Sequence, residues 1–271
     1  MSQPLLQTRG LVAGYGATPV LRDVTLDIAP GQVTAILGAN ACGKSTLLRC
    51  LARLLPPRAG EVTLDDTPVG RIASRSFARR LGFLPQSPVA PDGITVLDLV
   101  SRGRHPHHGL FARWTDADDA AVAHALEVTG TAALAEREVG ALSGGQRQRV
   151  WIAMALAQET EILLLDEPTT FLDVSHQIEV LELLSDLNRR RGTTVVMVLH
   201  ELNLAARHAD RIVGMKSGRI HATGTPAEVL TEAHIRDIFG LDSLVMADPV
   251  SGRPMMVPRA SLSSAHERET G

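Results

Sequence analysis

Eight residues, Gly38-Ala39-Asn40-Ala41-Cys42-Gly43-Lys44-Ser45, match the spacing G-x-x-x-x-G-K-[ST], in which backbone N–H groups cradle phosphate oxygens. The apolar run Val33 to Leu37 before them reads as a strand buried on both faces, and Ser45 to Leu55 after them as a helix. A helix N-terminus carries about half a positive charge, Lys44 would reach β- and γ-phosphates, and Ser45 would ligate Mg²⁺. The chemistry expected is binding of a nucleoside triphosphate. Further on, Ile162-Leu163-Leu164-Leu165-Asp166-Glu167 puts two carboxylates at the carboxyl end of a second buried strand, where open α/β sheets bind ligands. Asp166 is the candidate Mg²⁺ holder, and Glu167 the candidate general base for an attacking water in line with the γ-phosphate. Gln86 closes the strand-like run Gly82 to Pro85, and His200 closes the run through Leu199. A lone Gln or His at a strand end is more often a satisfied structural residue, but a shared sheet edge favours a functional role.

The elements that must position these groups form a βα alternation. Buried-strand runs at 33–37, 162–165 and 195–199 are each followed by helical periodicity, at 45–55, 175–191 and 202–208. In the second helix Asp173 or Ser175 is the expected cap, Ile178, Leu181 and Leu184 share a face, and Arg189 to Arg191 meet the negative dipole end before Gly192. Leu5 to Ile28 alternates apolar and polar residues between glycines, the pattern of short antiparallel strands. Between Thr95 and Thr160 helix formers dominate, including the alanine-rich Ala117 to Leu126, which predicts an inserted helical subdomain. Arg211 to Gly224 reads as a hairpin turning at Ser217-Gly218.

A chain of 271 residues with 44% hydrophobic and 21% charged residues can bury a sizeable core and is neither disordered nor fibrous. No run approaches the roughly 20 apolar residues that span a bilayer, and Met1 to Pro4 opens no secretory signal, so a cytosolic location is expected. Cys42 and Cys50 are then expected to be free thiols, Cys42 packed rather than reactive. A formal net charge of −3 disfavours nonspecific nucleic-acid binding. Of the 27 basic residues 25 are arginines, the lysines being Lys44 and Lys216 alone. His105, His107 and His108 surround Pro106 without metal-ligand spacing and read as a solvated or partner-facing loop.

Leu142-Ser143-Gly144-Gly145-Gln146, followed by Arg147-Gln148-Arg149, completes a set. Together with the phosphate loop, Gln86, Asp166-Glu167-Pro168 and His200 in this order, it resembles the ATP-binding cassette of ABC transporters over about Leu5 to Leu241. The resemblance implies an α/β P-loop NTPase of RecA-like type, with a mostly parallel core sheet, an N-terminal antiparallel β subdomain and an inserted α-helical subdomain over about 95–160. Residues 242–271 would be a C-terminal extension with a mobile polar end. ATP would bind along Gly38 to Thr46, with Ala39, Asn40, Ala41, Cys42 and Gly43 supplying the loop and Tyr15 stacking on adenine, unless Tyr15 simply covers a strand edge. Mg²⁺ would be held by Ser45, Gln86 and Asp166, and Glu167 and His200 would be catalytic. Leu142 to Gln146 would contact the γ-phosphate held by a second copy of the chain in a head-to-tail dimer, with Asp173 in the loop Thr170-Phe171-Leu172-Asp173 communicating between the two sites.

Ala41 departs from the glycine common in the family at its position, which narrows the loop's backbone choices. The segments Ser101 to His107 and Pro168 to Gln177 look like those of bacterial ferric-siderophore importer ATPases. That likeness implies an ATPase attached to the cytoplasmic face of the membrane through two transmembrane permease subunits, with the region from Gln86 through Ile94 to Trp114 touching them. An extracytoplasmic siderophore-binding protein would act indirectly. Haem or vitamin B12 is the alternative cargo. A soluble translation or resistance factor of this family would carry two cassettes, and a DNA-repair cassette would be split by a long coiled coil; this chain has one cassette and no sustained heptads between Gln86 and Leu142.

Overall fold

The computed structural model describes residues 5–109, 113–170 and 172–261. Residues 110–112 of the expected permease-facing segment, Phe171, and the polar end 262–271 lie outside them. Strands β1 (Leu6–Ala13) and β2 (Leu21–Ile28) pair antiparallel, Leu6 opposite Ile28 and Leu11 opposite Val24, as their alternation requires. Strand β3 (Val33–Gly38) is buried at every residue and feeds α1 (Lys44–Leu51). The helix stops four residues short of the sequence expectation: Arg53 takes φ +59°, and the N–H groups of Leu54 and Leu55 both turn back to the Arg49 carbonyl.

Strands β4 (Ala59–Leu64) and β5 (Thr67–Pro68) follow, then α2 (Ser74–Arg80) and β6 (Leu81–Leu84). Next come α3 (Val96–Ser101), a 3-10 segment Arg102–His107, and α4 (Asp116–Val128), which Thr115 and Asp118 open with a capping box. Ser143 and Gln146 open α5 (Gly144–Ala157) in the same way. The fully buried β7 (Ile162–Asp166) leads to α6 (Val174–Arg191), capped by Asp173 and closed by Gly192. Strand β8 (Thr194–Val198), α7 (Leu202–His208) and the hairpin β9 (Arg211–Lys216) and β10 (Arg219–Gly224) come next, the hairpin turning on Ser217 and Gly218, both at positive φ. Helices α8 (Pro226–Val229) and α9 (Glu232–Phe239) precede a second hairpin, β11 (Leu241–Ala247) and β12 (Pro254–Ser261), where the sequence offered only an extension.

Two compact units divide the chain: residues up to Pro68 with those from Val196 onward, and Val69–Val195. In the first, β2-β1-β4-β5 form an antiparallel sheet, and β10-β9-β3-β8 lie side by side with β3 parallel to β9, Ala35 opposite Ile212. In the second, β7 pairs parallel with β6, Leu81 opposite Ile162, and α3, α4 and α5 pack on one another. Strand β8 runs through the division: Thr194 N donates to Glu161 O in one unit, and Leu199 N to Ile36 O in the other.

A buried ion pair fixes the helical part of the second unit. Arg104, with its side chain 7% exposed, donates through Nε to Asp118 Oδ1 (2.9 Å) and through Nη1 to Ala157 O and Glu159 Oε2 (2.8 Å each). Asp118 Oδ2 accepts from the Thr115 hydroxyl (2.6 Å) and amide (3.0 Å). Within the histidine segment His105 is exposed, whereas His107 and His108 are packed rather than freely solvated. His107 Nε2 meets Gln158 O at 2.8 Å, and His108 stacks on Trp114 with its Nε2 3.2 Å from Asp118 Oδ2. The Thr115 hydroxyl first, opposed by burial, and then the Arg104 guanidinium hold the Asp118 carboxyl well below the usual carboxylate range. Arg104→Ala leaves that charge uncompensated and is expected to cost about 3–5 kcal/mol in urea unfolding at pH 7. Because the folded Asp118 pKa is depressed, its contribution is present above about pH 4 and lost as pH falls through the folded value. Asp118→Asn removes that part of the acid-side slope of stability against pH.

Candidate functional site

The loop in the first unit begins where β3 runs out of room for a side chain. Gly38 sits at φ +154°, and a Cβ there would lie 2.4 Å from Met215 O of β9 and 2.7 Å from Cys42 Sγ. Ala39, Asn40 and Ala41 are exposed, Cys42 and Gly43 buried, and the chain enters α1 through Gly43 in a left-handed conformation. Lys44, 5% exposed, donates from Nζ to Gly38 O (2.8 Å) and Ala39 O (3.1 Å), neutral carbonyls that orient the ammonium without cancelling its charge. Ser45 is half-buried and Thr46, the next residue of the helix, is buried. Burial, against the opposing charge of Lys44, pushes the Cys42 thiol up, and burial alone pushes Cys50 to about 12, so both are protonated free thiols.

Tyr15 lies half-exposed in the loop between β1 and β2, and Arg49 of α1 donates to its hydroxyl at 2.8 Å. Arg58 binds the carbonyls of Gly16 and Ala17, which fixes the turn that carries the ring. Neither arginine has a local sequence signal, because each acts on a loop more than 30 residues away. His200 follows Leu199 at the end of β8 and is exposed.

In the second unit Asp166 ends β7 almost wholly buried, and Glu167 follows at φ +55°, a left-handed conformation costly for a residue with a Cβ. Two donors converge on Glu167 Oε2: Gln86 Nε2 at 2.6 Å and Thr170 Oγ1 at 3.1 Å. Thr170 was not anticipated from sequence; its position three residues after the carboxylate, in a turn closed by Thr170 N to Glu167 O, is the local signal that could have found it. The segment Leu142 to Gln146 buries Leu142 and exposes Ser143 and Gly144. Ser143 Oγ accepts from Gln146 N (3.3 Å), and Gln146 Oε1 from Ser143 N (3.2 Å). Gln148 Nε2 donates to Pro168 O at 2.9 Å, tying α5 to the turn after Glu167. Asp173 caps α6, and its bonds from the His176 amide and the Ser175 hydroxyl lower its pKa to about 2. Among the described residues no helix is long and apolar enough to cross a membrane.

The sequence pattern of the ABC transporter family matches residues 21–170. The petrobactin import ATP-binding protein FpuD of Bacillus anthracis is 49% identical over 256 residues, 94% of each chain. The ferric enterobactin transport ATP-binding protein FepC of Escherichia coli is 50% identical over 260 residues, 95% of this chain and 96% of its own. Among solved structures, the dimeric post-hydrolysis state of the ATP-binding cassette MJ0796, bound to ADP and phosphate, aligns with a TM-score of 0.74 at 28% identity, covering 82% of this chain and 99% of that one. The chain belongs to the ABC transporter family. Within it, the chain is an ATP-binding subunit that hydrolyses ATP.

Ala41 bears the cost of the sequence departure noted above: it is held at φ +61°, a conformation that disfavours any residue with a Cβ by about 1–2 kcal/mol. Ala41→Gly relieves that strain while adding unfolded-state entropy, so a net gain of up to about 1 kcal/mol is expected in urea unfolding, with tighter nucleotide binding. Titration with a fluorescent ATP analogue checks the second part.

Proposed function

We propose that the chain is the ATPase of a bacterial importer of iron(III)-siderophore complexes, working as a head-to-tail pair of copies on the cytoplasmic side of two permease subunits. The observation that carries the cargo class is near-full-length identity at the same level, 49% and 50%, to a petrobactin import and a ferric enterobactin transport ATP-binding protein. Equal distance from both favours the class without favouring either siderophore. The dimeric form of the MJ0796 cassette supports the paired arrangement.

In this reading Tyr15 stacks on adenine, its hydroxyl set by Arg49, and Gly38 to Thr46 wrap the phosphates with backbone N–H groups. Lys44 supplies the charge for the β- and γ-phosphates. The Ser45 hydroxyl, the Asp166 carboxylate and the Gln86 amide oxygen, hard oxygen donors of the kind Mg²⁺ takes, are the groups proposed to hold that ion. When bound, Mg²⁺ neutralises charge on the β- and γ-phosphates. Glu167 orients and deprotonates the attacking water, with Gln86 and Thr170 on Oε2 fixing the carboxylate's rotation. His200 contacts the same phosphate.

Ser143 to Gln146 meet the partner copy's γ-phosphate with the exposed N-terminus of α5. A methyl built on Gly145 would make only ordinary contacts of 3.5 Å or more within the chain, so the need for glycine there comes from what approaches from outside. Asp173 lies in the loop that communicates between the two copies. The free energy of dimer closure passes to the permeases through the region following Gln86.

Three experiments test this. Lys44→Ala should reduce ATP turnover to background, and normal turnover would refute the role. Glu167→Gln should bind ATP without hydrolysing it and double in mass on size-exclusion chromatography when ATP is added; a monomeric, active variant would remove Glu167 as the base. In a strain lacking the gene, the native chain but not Lys44→Ala should restore uptake of radiolabelled iron on one siderophore class. Unaffected iron uptake would overturn the cargo and move haem and vitamin B12 to the front.

A further inference from the structure

The loop 14–19 that carries Tyr15 between β1 and β2 is closed at its base by backbone contacts. Val20 N donates to Ala13 O at 2.8 Å, and Gly14 lies so close to the returning chain that a Cβ on it would stand 2.4 Å from Thr18 O. The tip is held differently. Arg58 donates through Nη1 to Ala17 O (2.9 Å) and through Nη2 to Gly16 O and Thr18 O (3.4 Å for the latter), so three successive carbonyls face one guanidinium. The Tyr15 hydroxyl meanwhile accepts from Arg49 Nη1. One arginine thus holds the backbone beside the ring, and another holds the ring's far end.

Arg58 has a fixed base from which to reach the tip. Its own amide donates to Val12 O at 2.7 Å, and the next residue, Ala59, pairs with Val12 across β1 and β4. All of these groups belong to the first compact unit. Gly16, Ala17 and Thr18 are exposed, so water would satisfy their carbonyls as well as a side chain does, and the fold does not require the guanidinium. What its charge-assisted bonds add is order. Tyr15 stands between two glycines, and the brace removes conformations that such a segment would otherwise visit.

We propose that Arg58 is a positioning residue for recognition of the nucleotide's base: by bracing Gly16 to Thr18 it presents the half-exposed Tyr15 ring in one pose before ATP arrives. The inference rests on the reading above in which Tyr15 stacks on adenine. It assigns no contact between Arg58 and nucleotide. A ring that has to be ordered on binding takes that cost out of the affinity, and a ring already ordered does not. Losing the brace therefore weakens ligands that carry a base and spares those that carry phosphates alone. Arg58→Lys keeps the charge but replaces the planar fork with a single nitrogen, so it should substitute in part.

The test titrates the full chain, Arg58→Ala, Arg58→Lys, Tyr15→Ala and the double variant Tyr15→Ala/Arg58→Ala with a non-hydrolysable ATP analogue and with inorganic triphosphate, which has the phosphates and no base. Arg58→Ala should weaken the analogue about fivefold and triphosphate by less than about twofold, and should raise KM for ATP with kcat within about twofold. Arg58→Lys should recover part of the loss. Added to Tyr15→Ala, the Arg58→Ala change should cost less than about twofold further, because the brace acts only through the ring. Unchanged analogue binding in Arg58→Ala beside a clear loss in Tyr15→Ala would overturn the inference and leave the stacking reading standing. Equal losses for the analogue and triphosphate would also overturn it, since that is the signature of a residue supporting the phosphate loop or the fold, and so would losses that add in the double variant. No loss in Tyr15→Ala would remove the stacking reading and this inference with it.

Discussion

Gly38 is the position on which the phosphate-binding half of the molecule rests. Strand β3 is buried on both faces and lies between β9 and β8, so its last residue has to leave the sheet against the Met215 carbonyl at a distance no Cβ tolerates. The parallel pairing of β3 with β9, the tight turn and the burial of Lys44 at the head of α1 follow from that one missing side chain. A larger residue would have to break either the sheet register or the loop. The turn of the β9–β10 hairpin reinforces the arrangement: Gly218 N donates to Cys42 O, and Arg22 N to Gly218 O, so the loop is held from a strand pair close to 180 residues away in sequence.

Two of the strained backbone positions fall in the candidate site. Ala41 and Glu167 both occupy the left-handed region, one in each compact unit, at a cost of order 1–3 kcal/mol apiece. Each is held by local bonds. Cys42 N to Ala39 O closes the turn around Ala41, while Gln86 and Thr170 grip Glu167 from two sides. In the proposed role of general base, a carboxylate oriented in this way needs no rearrangement of its own at the moment of reaction, which is how a preorganised group lowers a barrier.

Legibility in the sequence follows the range of the interactions involved. Strands β3 and β7 announce themselves as short, wholly apolar runs, the β9–β10 hairpin by Ser217-Gly218, and α6 by Asp173 at one end and Gly192 at the other. All of these depend on near neighbours. Strands β4 and β5 and the β11–β12 hairpin were not readable, because Ala59–Leu64 earns its strand identity only by pairing with β1, and β11 by pairing with β12. The packing of His107 and His108 was not readable because nothing adjacent signals it; their partners Gln158 and Asp118 arrive from other segments. The candidate site was the part read most directly, since the spacing that suggests a phosphate loop is local, whereas the bonds of Arg49 to Tyr15 and of Gln86 to Glu167 join distant segments.

The burial of Lys44 has a practical corollary in a chain that carries only two lysines. Lys216 is exposed at the end of β9, whereas Lys44 lies inside the loop. An amine-directed acylating reagent therefore meets two side chains of opposite accessibility. Acylation is therefore expected at Lys216 and not at Lys44 while the chain is folded, so the ratio of the two labelled peptides by mass spectrometry gauges how far the loop has opened, without any engineered probe.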